Sequence, residues 1–589
     1  MPIDCLSRRS FLSRGSLATL AVTSAPFFLS AEARADLLLP KPSGSLEQQL
    51  DAYIAAYMPA MNAPGMTLGL TDASKTLRTA GYGLANIDQH VPVSTDHLFQ
   101  IGSISKSFVA LVLLQMRDEG KLDLQKPILD YLPDLPITTE FGTITVHHLL
   151  THTSGLPDND DVFLSDPSAR LVQGFKPGEH FHYCNAGFDI LGLLAAKLDG
   201  KPWRKCVQAR IFDPLQMTAS KGVITTSSRA LQATGYNSFW DDQAYARQGK
   251  LVTAPNIIED NTAGSILSTP ADMARYIRMM LNHGQGPNGR IVSEESFTLF
   301  STPFIKADDF SPTASYGYGI AVDTLEGHKI LRHTGGMVAF ASSIHVDLDG
   351  GVAAFASINA MQGYRPTAVT EYAVRLLRAD HESKPLPAPP ALADPLNVEN
   401  AADYSGTFTA ADGRKLVFAA DGKRLSLIVE SQPIPLQHAG GGNFISTVPG
   451  NWAVHTFMFG RKETAPEPAA NAAPNSTRPQ PPVVEVTYGS DWFVSSAYAG
   501  PHSFTVPADF EAFAGRYRSA SPWGGDAFVY ILKGQLLLEG EPLVRIGAAQ
   551  FRPGDESWMP ETAEFHHIFQ GKAQLLKFAG MDFSRVEVD

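Results

Sequence analysis

A proline-rich stretch, Lys384–Pro395 (KPLPAPPALADP), divides this chain into two parts that follow different periodicities. Proline removes a backbone donor and fixes φ, so such a run reads as a linker. Before it, long apolar helical runs alternate with strand-like segments such as Gly65–Asp72 (GMTLGLTD) and Gly350–Asn359 (GGVAAFASIN), an α/β (α+β) pattern. After it come only short strands and turns. Two segments there repeat one plan. The first opens on Ala402–Phe408 (ADYSGTF) and runs to Phe444; the second opens on Phe513–Ser519 (FAGRYRS) and runs to Phe551. Each has an aromatic-x-Gly-x-aromatic start, a turn, an alternating strand, a Pro-Leu step and a closing Phe. This predicts two small, lipocalin-like antiparallel β-barrels in tandem. Between them Glu463–Pro482 is rich in Pro, Ala and Asn and reads as a disordered insertion.

The chemistry concentrates in the first part. In Phe99–Phe108 (FQIGSISKSF), Ser103 precedes Lys106 by three residues at the head of the apolar run Val109–Met116. On a helix these two share a face. A serine hydroxyl is a poor nucleophile until a neighbour takes its proton, and a lysine amine held out of water can take it. Tyr183-Cys184-Asn185 lies on an expected turn before another apolar helical run. A tyrosine beside an ammonium can share its proton, and an Asn carboxamide offers a donor and an acceptor to a substrate amide. His333-Thr334-Gly335-Gly336 precedes an alternating segment and is expected at a strand's start, where glycine lets a substrate backbone approach. The backbone N–H groups of Ser103 and Gly336 are the expected oxyanion hole.

The order S-x-x-K, Y-x-N, H-x-G resembles the serine penicillin-recognising hydrolases, and the surroundings resemble their class C β-lactamase-related branch. The segments that carry this are Gly81–Asp88 (GYGLANID), Pro92–Lys106, Leu149–Pro157 (LLTHTSGLP), Ala263–Ile277, Tyr316–Gly319 (YGYG) and the HTGG run, within roughly residues 45 to 380. The resemblance implies an antiparallel sheet flanked by a helical region, with the cleft between them. It implies Ser103, Lys106 and Tyr183 as catalytic residues, Asn185, His333, Thr334 and Gly335 as substrate-binding residues, and an acyl-enzyme on Ser103. Class C β-lactamases carry Lys where this chain has His333. Histidine there is similar to D-aminopeptidases, some D-alanyl-D-alanine carboxypeptidases and certain esterases, and a protonated His333 is expected to keep the pocket positive. The appended barrels resemble those of D-aminopeptidases and are expected to roof the cleft. The expected substrate is therefore a small peptide, amide or ester, with D-amino-acid peptides and amides first and cell-wall peptides among them. An esterase, a carboxypeptidase and a β-lactamase-like enzyme are the alternatives, and an idle cell-wall-binding or sensor protein is a further one.

Other chemistries lack support in the sequence. His147, His148 and His152 cluster, but Leu149 stands where a zincin would need Glu, so no metal is expected. No Walker loop or dinucleotide fingerprint calls for a cofactor. The 589 residues carry a net charge of −13 with no long basic run, which argues against nucleic acid as a partner. The start has Ser7-Arg8-Arg9-Ser10-Phe11-Leu12, a modest apolar stretch and Ala33-Arg34-Ala35. It reads as a cleaved twin-arginine-type leader over residues 1–35, too short in its apolar part for a membrane span, and predicts a periplasmic or secreted protein. The remaining boundaries are 36–383 for the hydrolase domain, 384–395 for the linker, 396–500 for the first barrel and 501–589 for the second. Of three cysteines, Cys5 lies in the leader. Cys184 reads as a small packed side chain, and a Cys184–Cys206 bridge stays open in an oxidising compartment.

Overall fold

The computed structural model describes residues 44–159, 161–163, 169–239, 249–360, 366–392, 394–462 and 480–587. The expected leader, and residues 463–479 of the expected insertion, lie outside this set. The N-terminal domain is built on nine strands: β1 (Gly65–Asp72), β2 (Thr76–Asn86), β3 (Val91–Pro92), β4 (Ile305–Lys306), β5 (Ser315–Tyr316), β6 (Ala321–Leu325), β7 (His328–Met337), β8 (Phe340–Asp347) and β9 (Val352–Ile358). They pair antiparallel in the order β4-β5-β6-β7-β8-β9-β1-β2-β3.

The two-residue alternation of β8 and β9 creates two cores. Ile344, Val346, Ala353 and Phe355 face a large helical layer, while Ala354, Ala356 and Ile358 face the opposite way. On that opposite face lie helices α1 (Leu46–Ala60) and, late in the domain, Thr367–His381. The helical layer contains α2 (Ser105–Asp118), α3 (Asn185–Asp199) and α4 (Pro270–Leu281). All of α2 from Ser105 to Leu114 is buried. A helix apolar on every side must run through the core, and this is why the Val109–Met116 run carries no polar stripe. Leu386 and Leu392 of the proline-rich stretch pack against the α1 core.

The two C-terminal units are closed antiparallel barrels of eight strands each, from Gly406–Thr409 to Asp491–Val494 and from Gly515–Ser519 to Met581–Val586. Inward residues fill both: Phe408, Phe418, Phe444 and Phe457 in the first, Tyr517, Phe551, Phe565 and Leu576 in the second. The repeated aromatic-Gly-aromatic starts are the opening strands. Arg585 closes one end of the second barrel, donating to the carbonyls of Ala512, Ala514 and Ala573 and to the Tyr517 hydroxyl.

One placement differs from the sequence expectation. His333–Gly336 lies toward the end of β7, and the alternating run after it is the next strand, β8. Met337 pairs with Phe340 across a two-residue turn, Val338-Ala339. That turn has none of the Gly, Asn or Asp that normally marks a tight hairpin, so the sequence reads straight through it.

Candidate active site

Ser103 sits in a single 3-10 turn, Gly102–Ile104, that leads directly into α2. Gly102 adopts φ 55°, and a Cβ on it would lie 2.6 Å from the Gly336 nitrogen. A side chain is thus excluded twice, by the left-handed backbone and by β7. On β7 a Cβ at Gly335 would lie 1.8 Å from the Ile101 carbonyl oxygen, which also accepts from the Ser342 hydroxyl at 2.7 Å. The glycines bring the Ser103 turn against the strand, with Gly102 packed on Gly336.

Lys106 is 0% exposed. Its Nζ lies 3.2 Å from Ser103 Oγ and donates to Asn185 Oδ1 (2.6 Å) and the Ala263 carbonyl (3.1 Å). It also lies 4.7 Å from the Tyr183 ring centre. The segment that carries the Ala263 carbonyl is held by Asp189, whose carboxylate accepts from the N–H groups of Thr262 (2.8 Å) and Ala263 (3.2 Å). Burial pushes the Asp189 carboxyl above its ordinary range, against those hydrogen bonds and the charge of Lys106.

Asn185 is the first residue of α3, and the preceding Cys184 caps the helix with its thiol, which accepts from Gly187 N–H at 3.1 Å. Cys184 and Cys206 are both buried free thiols. The Asn185 amide donates to Asp158 Oδ1 (3.0 Å) and Asn159 Oδ1 (2.8 Å). Tyr183 packs against His152, ring centres 4.2 Å apart, and His152 Nδ1 accepts from the Cys184 N–H at 2.9 Å. His333 is 1% exposed; its Nε2 meets the Tyr316 hydroxyl at 2.9 Å and its Nδ1 the Thr334 carbonyl at 2.6 Å. Both ring nitrogens are therefore engaged within the protein. The other clustered histidines are engaged separately, His147 with Tyr318 and His148 with Thr145, and burial pushes His148 down to about 4.

These groups open onto a cavity of about 2780 Å³ lined by Ser103, Tyr183, Asn185, Thr334 and Gly336, and also by the second barrel. That barrel touches both lips. On one, Trp558 stacks on His180 (centres 4.5 Å apart), and a Cβ at Gly174 would lie 2.4 Å from the Trp558 carbonyl. Beside it, Glu561 accepts from the Asp158 N–H at 2.8 Å. On the other lip, Trp523 donates to Glu259 at 3.0 Å.

The structure thus gathers Ser103, Lys106, Tyr183, Asn185, His333, Thr334, Gly335 and Gly336, from three separate stretches, around one cleft. Sequence reasoning passed over Asp158, Asp189 and Glu561. Asp158 stood directly after the LLTHTSGLP run, which was the one signal available for it; Glu561 had none. Among the described residues no cluster of three or more His, Cys, Asp or Glu side chains is arranged to hold a metal, and no helix is long and apolar enough to cross a membrane.

Comparison with known proteins agrees with this architecture. The Beta-lactamase family model matches residues 50–379. Protein flp of Staphylococcus aureus (strain COL) is 26% identical over 253 residues, 40% of this chain and 49% of that protein. The chain thus spans about half the length of this curated relative. Penicillin-binding protein 4 of Amycolatopsis lactamdurans is 28% identical over 378 residues, 60% of this chain and 94% of that protein. Among solved structures, the octameric penicillin-binding protein homologue from Pyrococcus abyssi superposes with a TM-score of 0.51 at 22% identity, covering 76% of this chain and 100% of that one, a likeness of fold.

Proposed function

The chain belongs to the Beta-lactamase family, and from that premise we propose that it is a serine hydrolase that cleaves D-amino-acid peptides or amides through an acyl-enzyme on Ser103, acting at the amino end of its substrate. The observation that carries the hydrolase reading is the Ser103 hydroxyl 3.2 Å from the fully buried Lys106 amine, beside the Tyr183 ring. In the proposed reaction, Ser103 Oγ attacks the substrate carbonyl and its proton passes to the Lys106–Tyr183 pair, which acts as one coupled unit. The N–H groups of Ser103 and Gly336 stabilise the oxyanion. The same pair returns the proton to the leaving amine as the C–N bond breaks, and water then releases the acyl group. In this reading Thr334 and Gly336 face the substrate directly, Asn185 and His333 line the wall with their hydrogen-bonding groups engaged within the protein, and Gly335 shapes the wall by its packing on Ile101. The roofing by the second barrel supports end-directed cleavage, because a barrel resting on both lips leaves little room for a long chain to pass through. Arg8-Arg9 and the leader that follows support export, which puts cell-wall peptides within reach.

The test is release of para-nitroaniline from D-alanine para-nitroanilide, with the amine free and then N-acetylated, beside Ser103→Ala. Ser103-dependent cleavage that is faster with the free amine is expected. Cleavage of the acetylated form alone, or of esters alone, would replace the aminopeptidase reading with a carboxypeptidase or an esterase.

A further inference from the structure

Glu561 lies on the second barrel, yet a hydrogen-bonded path runs from it to the nucleophile of the N-terminal domain. Its carboxylate is 3% exposed, accepts from the Asp158 N–H at 2.8 Å and faces His182 Nε2 at 3.3 Å. A buried carboxylate is tolerated only where such partners compensate its lost hydration. The loop that carries it is fixed by the Trp558–His180 stack and by the close approach at Gly174, so Glu561 marks a defined point in space.

Asp158 passes that constraint on. Its Oδ1 accepts from both the backbone N–H and the side-chain amide of Asn185, each at 3.0 Å, and its carbonyl accepts from the N–H groups of Asn185 (2.9 Å) and Ala186 (3.0 Å). The second amide hydrogen of Asn185 goes to Asn159 Oδ1, whose own amide donates to Asp158 Oδ2 at 3.0 Å. With both hydrogens committed, the plane of the Asn185 amide is fixed, and Oδ1 must point at Lys106 Nζ, 2.6 Å away. Asn185 Oδ1 and the Ala263 carbonyl take two of the three directions around Nζ. The third faces Ser103 Oγ.

We propose that Asp158 and Glu561 are positioning residues: the second barrel, by holding Asp158 through Glu561, sets the Asn185 amide and thereby aims Lys106 at Ser103. The proposal rests on Ser103 being the nucleophile. It assigns the barrel a part in the acylation step itself, apart from any control of access. A part-buried N–H deprived of its acceptor on a fixed loop lets its surroundings shift, and shifts well below 1 Å between base and nucleophile are felt in rate.

The test uses the full chain and para-nitrophenyl acetate, whose acyl group is too small to meet the roof. Nitrophenolate release is followed before steady state, and one acetyl group per chain is verified by intact mass, with Ser103→Ala as the blank. If the unaltered enzyme takes no acetyl group, the nucleophile assignment fails and this proposal falls with it. Given acetylation, Glu561→Ala is expected to slow it about tenfold through kcat with KM little changed. Glu561→Gln, which keeps an acceptor for the Asp158 N–H, should restore most of the rate. In an Asn185→Ala background, Glu561→Ala should cost nothing further. Asp158→Asn, which sets two amide donors against each other at Asn159, should slow acetylation with the melting temperature kept, and it carries the test if Glu561→Ala does not fold. Acetylation at the native rate in a folded Glu561→Ala or Asp158→Asn enzyme overturns the proposal, because a barrel that only restricts access would change the turnover of large substrates alone.

Discussion

His345 on β8 is buried, with Nδ1 2.9 Å from the Thr370 hydroxyl, and burial pushes it from 6.5 down to about 3, with Arg332 acting in the same direction and Asp323 against it. The depressed value means that the folded protein holds this ring neutral while the unfolded chain protonates near 6.5. Its contribution is complete above that pH. It is lost as pH falls toward 3, at about 1.4 kcal/mol per pH unit. Chemical denaturation across that window should show stability falling on the acid side, and His345→Gln, which keeps a partner for Thr370, should flatten the slope. An identical slope in the variant would assign the acid limb to other groups. At this scale the sequence was legible where chemistry sits within a turn of itself. Ser103 and Lys106 announce each other three residues apart. Asp158 and Glu561, separated by about four hundred positions, meet only when two domains dock, and neither has a local pattern that marks it.

Between elements, the contact that decides the site is the Ser103 turn against β7. Gly335 supplies it by leaving room for the Ile101 carbonyl rather than for a substrate backbone, which the sequence had suggested as its use. Gly335→Ala would put a methyl carbon 1.8 Å from that oxygen, so either β7 or the turn must move. The expected cost is about 1–3 kcal/mol in stability, together with a loss of acylation on the order of a hundredfold as the Ser103 turn shifts against β7 and the proposed oxyanion amides separate. Melting temperature and the acetylation burst measure both, and a variant native in each would mean that the contact is not under constraint. The helices that follow Ser103 and begin at Asn185 were readable from their apolar runs. The HTGG segment was placed one strand late because Val338-Ala339 turns without a turn residue. Alternation gives the faces of a sheet reliably, but the ends of strands only where turn chemistry speaks.

For the whole molecule, the proline-rich break and the twin barrel repeat foretold the order of the parts, and the resemblance put barrels over the cleft, but neither said which barrel would lie there or through which residues. Docking of this kind is made by scattered single residues, such as Gly174, His180, Glu259, Trp523 and Trp558, which follow no period. The two lips differ in what they hold. The Trp558 side carries Glu561 and, through it, the aim of Lys106. The Trp523 side is tied by an indole N–H on the Glu259 carboxylate, at a half-exposed site that takes no part in the Glu561–Asp158–Asn185 hydrogen bonds. Deleting the barrels would therefore change access and acylation together, whereas Trp523→Ala separates them. Loss of one hydrogen bond to a charged acceptor at a half-exposed site is worth about 1 kcal/mol, which corresponds to roughly a fivefold rise in the fraction of molecules with that lip open. For substrates too large to enter under the roof, kcat/KM should rise by a similar factor, while acetylation by para-nitrophenyl acetate stays as it was. A ratio of large-substrate to small-substrate kcat/KM that does not move in Trp523→Ala would mean that the barrel does not limit entry from this side, and the end-directed reading would lose its support.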